Sequence, residues 1–155
     1  MPPTMRFLLL SLASLCLVLT GCQTKPVASA PQISLRPIKP RPVLFKGNYL
    51  SNNSVDKPSY PLEGPGAVYP YELRKAGVEG FAVIGVAINS KGVAEQADIG
   101  SATDERLGET ARAAMLQWKF SPAIKDGKPV PSWGIQRVNF ILGNRSYTGN
   151  LVKHP

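Results

Sequence analysis

The sequence predicts an α+β fold, a two-layer domain with a short, mostly antiparallel three-stranded sheet packed on two helices. Three observations carry this. Residues 81–88 and 135–142 alternate apolar side chains with the period of strands. Between them Leu107, Ala111, Ala114, Met115 and Trp118 recur at helical spacing. Pro70, Gly77, Gly92, Pro122 and Gly127 punctuate the segments. Taken in order, residues 69–77 read as a short helix that proline starts and glycine stops. In the strand at 81–88, Ala82, Ile84, Val86 and Ile88 share one face. Residues 89–92, Asn-Ser-Lys-Gly, make a hairpin connection with glycine available for positive φ. A second strand, 93–99, alternates polar residues with Ala97 and Ile99. Ser101 or Thr103 is placed to cap the next helix, with Asp104 and Glu105 at its positive end. Residues 126–129 form a turn, and Val138, Phe140 and Leu142 share one face of the final strand.

The folded part therefore spans 61–143, followed by a tail at 144–155. Before it, residues 22–60 read as a linker. Pro26, Pro31, Pro37, Pro40, Pro42 and Pro58 interrupt it, and Lys25, Arg36, Lys39, Arg41 and Lys57 each directly precede a proline. Proline fixes φ and biases the preceding residue toward extended backbone. Such a chain is expected to be a semi-rigid spacer, reaching up to about 3.1 Å per residue. The net charge of +8 is concentrated there, where six cationic side chains (Lys46 completes the set) face only Asp56. A nucleic-acid surface needs a basic face on a folded element or interleaved aromatics. Neither is visible, so nucleic acid is excluded as a partner.

At the N-terminus, Arg6 precedes an apolar run over 7–20. The run through Cys22 would reach about 24 Å as a helix, short of the roughly 30 Å of hydrocarbon in a bilayer. A basic start, a short apolar stretch and a small residue before a cut fit a cleaved signal over residues 1–21. Leu19, Thr20, Gly21 and Cys22 resemble the lipobox of bacterial lipoproteins. The resemblance implies a diacylglyceryl thioether on Cys22, cleavage before it, and a membrane anchor through that lipid. Gln23 rather than aspartate after the cysteine favours the outer membrane under the same resemblance, with the inner membrane as the alternative. The other reading of the run is an uncleaved anchor.

The chain has two cysteines and one histidine. With Cys16 in the signal and Cys22 lipidated, no thiol remains for a disulfide or a metal. His154 stands alone near the end. No metal site, no cofactor and no catalytic residue is expected: a nucleophile lacks its histidine, and no phosphate-binding glycine loop is present.

The domain resembles the C-terminal domain of the TonB energy-transducer family. The resemblance rests on Tyr69-Pro70, then Gly77-Val78-Glu79-Gly80, then the strand ending in Ile88-Asn89-Ser90-Lys91-Gly92-Val93. It continues through Ser101, Asp104, Leu107, Ala111 and Ala114 into Trp118-Lys119-Phe120-Ser121-Pro122-Ala123. Gly127-Lys128-Pro129-Val130 and Val138-Asn139-Phe140 complete it. The resemblance implies binding of an outer-membrane transporter peptide by strand addition to the final strand, in a periplasm-facing envelope protein. Gln136, Arg137 and Asn139 are the expected contacts on that strand, with Tyr69 and Pro70 as a second candidate contact. Trp118 and Phe120 are expected in the core.

The chain departs from the family before the domain. A full transducer keeps an N-terminal helix, usually with a histidine, that couples to ExbB and ExbD. Residues 1–22 contain no histidine. ExbB and ExbD are partners only if the N-terminus stays uncleaved. Two readings follow: a TonB-like transport component, or a lipid-anchored binding module that transmits no force.

Overall fold

The computed structural model describes residues 33–143. In chain order these form β1 (Leu50–Ser51), a 3-10 turn (Asn52–Ser54), β2 (Pro61–Glu63), α1 (Tyr71–Lys75), β3 (Gly80–Ile88) and β4 (Ala94–Ala102). There follow α2 (Glu105–Met115), β5 (Lys119–Phe120), β6 (Ala123–Lys125), β7 (Lys128–Val130) and β8 (Ser132–Phe140). The signal segment, Cys22, the first part of the linker and the tail lie outside the described residues. The α+β class is as the sequence predicts.

The main sheet has the order β1-β8-β3-β4. β3 is its spine, antiparallel to β4 on one side and to β8 on the other. Ala82, Ile84, Val86 and Ile88 are buried on the face that carries α2. Leu107, Gly108, Ala111, Ala114 and Met115 of α2 are buried against it, at the spacing that gives a helix one apolar stripe. Phe120 is in the same core and Trp118 packs at its border, donating its indole N–H to the Pro65 carbonyl at 2.8 Å. The helix cap differs from expectation. Asp104 takes the cap position, because its carboxylate reaches the Arg106 N–H at 3.0 Å, while the Thr103 hydroxyl is used by the Phe81 N–H.

The β3–β4 hairpin closes on Asn89, whose side-chain oxygen accepts from the N–H groups of Lys91 and Val93. Gly92 stands at φ +82°, and a Cβ there would lie 2.1 Å from the Phe120 carbonyl oxygen. Both the backbone conformation and the contact with main chain demand glycine. Gly92→Ala is therefore expected to destabilise the domain by about 3 kcal/mol, summing left-handed strain and overpacking. A urea melt of the variant reads this directly, and an unchanged midpoint would contradict the packing described.

The sheet has four strands rather than three because the linker contributes one. Residues 33–60 do not stand off from the domain. Ile38 forms an antiparallel bridge with Ala102, and the Arg41 N–H donates to the Gly100 carbonyl. The chain then crosses the face of the sheet opposite α2. Val43 fills the space above Gly85, where a Cβ would come within 2.8 Å of its side chain. Gln96 exchanges two hydrogen bonds with the Lys46 backbone, at 3.0 and 2.6 Å. The Arg41 guanidinium pairs with Asp98 at 2.6 Å. Leu50 and Ser51 finally lie parallel to Ser132 and Trp133. Over the described residues this strap is packed on the sheet rather than standing off as a spacer. Its apolar residues Ile38, Val43 and Phe45 gave an extended chain something to dock on.

Candidate functional site

β8 is the strand on which strand addition is expected, and its two edges differ. Along one edge it pairs with β3 from Ser132 to Phe140 without a register shift. Along the other, β1 alone among the described residues lies beside it, opposite Ser132 and Trp133.

Backbone direction alternates along a strand, so one fixed bond assigns the rest. The Leu50 N–H donates to the Pro131 carbonyl at 3.1 Å, which turns odd-numbered residues outward. Two other contacts agree. The Leu142 N–H faces the β3 side and donates to Glu79 at 2.7 Å. Phe81, the partner of Asn139, spends its own N–H and C=O on Thr103, on the β4 side. Phe81 and Asn139 therefore exchange no ladder bonds. Ile135, Arg137 and Asn139 turn their N–H and C=O groups to an edge that has no strand beside it among the described residues.

The side chains divide by the same alternation. Gln136, opposite Ile84, lies on the α2 face and is half-buried. Arg137 and Asn139 lie on the other face, with Trp133, Ile135 and Ile141. Arg137 is held in place: its guanidinium carbon sits 3.7 Å from the Phe81 ring centroid, and its Nε donates to the Asn139 side chain at 3.1 Å. Ile135 is 52% exposed beside them. Phe45 of the strap stands 6.1 Å from Trp133 and 6.3 Å from Tyr49 between ring centroids. The open edge thus carries an apolar shelf at one end and an oriented cation in the middle.

Tyr69 and Pro70 sit at the start of α1. Tyr69 is buried, donates its hydroxyl to the Val78 carbonyl, and meets Phe140 edge-on at 5.5 Å between centroids. Its contact with Phe140 makes it a residue that positions the end of β8. Pro70 occupies the cap position of α1 and accepts from the Arg74 N–H. The strap residues Phe45, Leu50 and Asn52 were missed in the sequence. The apolar triplet 43–45 and the pair Tyr49-Leu50 interrupt an otherwise polar linker, and that was the available signal.

Several charged groups near the strap are paired. The Tyr49 hydroxyl donates to Glu95 at 2.7 Å, which raises the tyrosine pKa; bonds from Asn89 and Tyr49 lower that of Glu95. Asp104 is buried and collects the N–H groups of Arg36 and Arg106 together with the Arg106 guanidinium. The guanidinium bond dominates in pulling its pKa down to about 2. Among the described residues, no group of three or more His, Cys, Asp or Glu side chains is arranged to hold a metal ion.

An α+β module with a buried core and, among the described residues, an unpaired stretch along one side of β8 is the class this geometry defines. The family description "Gram-negative bacterial TonB protein C-terminal" matches residues 65–142, and the chain belongs to that family. Protein TonB of Vibrio cholerae serotype O1 is 38% identical over 77 residues, covering 49% of this chain and 32% of that protein. The chain thus matches about a third of the length of that curated relative. The solution structure of the Pseudomonas aeruginosa TonB C-terminal domain is similar at 26% identity, covering 57% of this chain and 90% of that one, with a TM-score of 0.46.

Proposed function

We propose that this chain binds a short extended segment of an outer-membrane transporter by strand addition to β8, as a periplasm-facing component of TonB-dependent transport. The observation that carries the reading is the outward-turned backbone of Ile135, Arg137 and Asn139 in a domain of the TonB C-terminal family. Unpaired N–H and C=O groups on a strand edge are a template for another strand. Arg137 and Asn139 contact the partner from one face and Gln136 from the other, Tyr69 positions the end of β8 through Phe140, and Pro70 beside it is a second candidate contact. The chain works by binding and not by catalysis. A labelled peptide copied from the N-terminal segment of such a transporter should gain fluorescence anisotropy when titrated with the protein. No gain with any such peptide would overturn the reading.

Residues 19–22 favour a second reading of how the domain is held: a lipid on Cys22 tethers it to the envelope, by preference at the outer membrane, and no force is transmitted. ExbB and ExbD engage it only with an uncleaved N-terminus. Cells fed radioactive palmitate should label the wild type but not Cys22→Ser, with processing blocked by globomycin. An unprocessed, unlabelled wild type that crosslinks to ExbB would favour force transmission instead.

A further inference from the structure

We infer that the strap is a fixed end-stop, which limits an added strand to the part of β8 beyond Trp133 and so sets its length and register. This rests on the strand-addition reading. β1 already occupies the lateral position that an added strand would take at Ser132 and Trp133. Its last residue is followed directly by Asn52, whose side chain sits over Gly134: a Cβ on that glycine would lie 2.6 Å from Asn52 Nδ2.

This stop is pinned. Asn52 donates to the Ser59 carbonyl at 3.2 Å and accepts from the Ser59 N–H at 3.2 Å and its hydroxyl at 3.0 Å. Ser59 and Ser132, both buried, are joined at 3.2 Å through their hydroxyls, which ties the turn to β8 itself. Upstream, the Phe45–Trp133 and Phe45–Tyr49 contacts and the two Gln96–Lys46 bonds hold the other end of β1. A two-residue strand alone would fray, but this one is clamped on both sides by groups that burial or geometry has already paired. The accommodated segment is roughly five to seven residues at about 3.3 Å each. Its end nearest β1 must turn away from the sheet.

Amide hydrogen exchange on the full chain tests the stop with and without a transporter-segment peptide. In the free protein, the Leu50 amide should exchange at least about 100-fold more slowly than those of Ile135, Arg137 and Asn139, which have no neighbouring strand among the described residues. Peptide should slow the last three and leave Leu50 slow. Release of Leu50 upon binding would overturn the proposal, because the strap would then be displaced. Leu50 exchanging as fast as Asn139 in the free protein would overturn it without any peptide. Slow Leu50 with no peptide protecting Arg137 would instead sink strand addition and leave the stop standing. Asn52→Ala should free Leu50 and let a peptide lengthened by two residues toward β1 bind tighter than the short one. Equal gain from that extension in the wild type would overturn the stop.

Discussion

Asn139→Pro is expected to weaken transporter-peptide binding at least tenfold in a domain that stays folded. The Asn139 N–H points away from β3, since its partner Phe81 is committed to Thr103. Proline there removes no bond of the β3–β8 ladder, and open edges are where strands tolerate proline. An added strand, by contrast, loses an N–H donor, worth about 1 kcal/mol, and meets the pyrrolidine ring where its carbonyl should dock. Together these exceed the about 1.4 kcal/mol that corresponds to tenfold. Gln136→Pro is the matched opposite. Its N–H faces β3, so the substitution should lower the unfolding midpoint before binding can be asked about. Anisotropy titration and a thermal melt of both variants separate the two effects. A folded Asn139→Pro protein with wild-type affinity would remove this edge from consideration.

Asp104→Ala is expected to be the largest loss of stability among exposed-to-buried charge changes, about 3 kcal/mol. The carboxylate is inaccessible to solvent and accepts four hydrogen bonds, from two backbone N–H groups and twice from Arg106. Loss of a helix cap alone costs about 1 kcal/mol, and the remainder is the donors of Arg36 and Arg106 left without their acceptor. Arg106 is partly solvated, which keeps the figure below that of a fully buried pair. The pH dependence has a definite sign. The folded pKa of about 2 lies below the unfolded value near 3.9, so this contribution is complete above about pH 5. It is lost as pH falls through 4 toward 2. Urea melts at pH 7 and pH 2 should show a wide gap between wild type and Asp104→Ala at the first and a narrow one at the second. A gap independent of pH would mean that the ionised carboxylate is not what stabilises the turn.

The core was legible in the sequence wherever one face of an element is apolar. Ala82, Ile84, Val86 and Ile88 on β3, and Leu107, Ala111, Ala114 and Met115 on α2, are buried as their spacing required. The family resemblance was legible too, from the ordered Tyr-Pro, Gly-Val-Glu-Gly and Trp-Lys-Phe-Ser-Pro pieces. The strap was not. Proline and charge dominate a linker by composition, and three apolar residues among them have no periodicity that names a docking surface. What decides their placement is Gly85, which leaves room for Val43, and Gln96, which offers an amide to Lys46. Both are on other elements, so no local window contains the information. The final strand shows the same limit. Its alternation identified β8, and Arg137 with Asn139 share a face as a period of two demands. Which backbone groups turn outward depended on pairing with Phe81 and Leu50, which is tertiary. Tyr69 shows the converse, a motif residue whose position in the chain said nothing of its burial.

Disulfide trapping at Asn139→Cys tests the open edge most directly. A transporter-segment peptide carrying one cysteine, walked along its length, is incubated with this variant under mild oxidation. An added strand presents every second side chain to the face that holds residue 139. Trapping should therefore rise and fall with a period of two about a single best position. Trapping that ignores peptide position, or that is stronger to Gln96→Cys on β4, would contradict strand addition at β8.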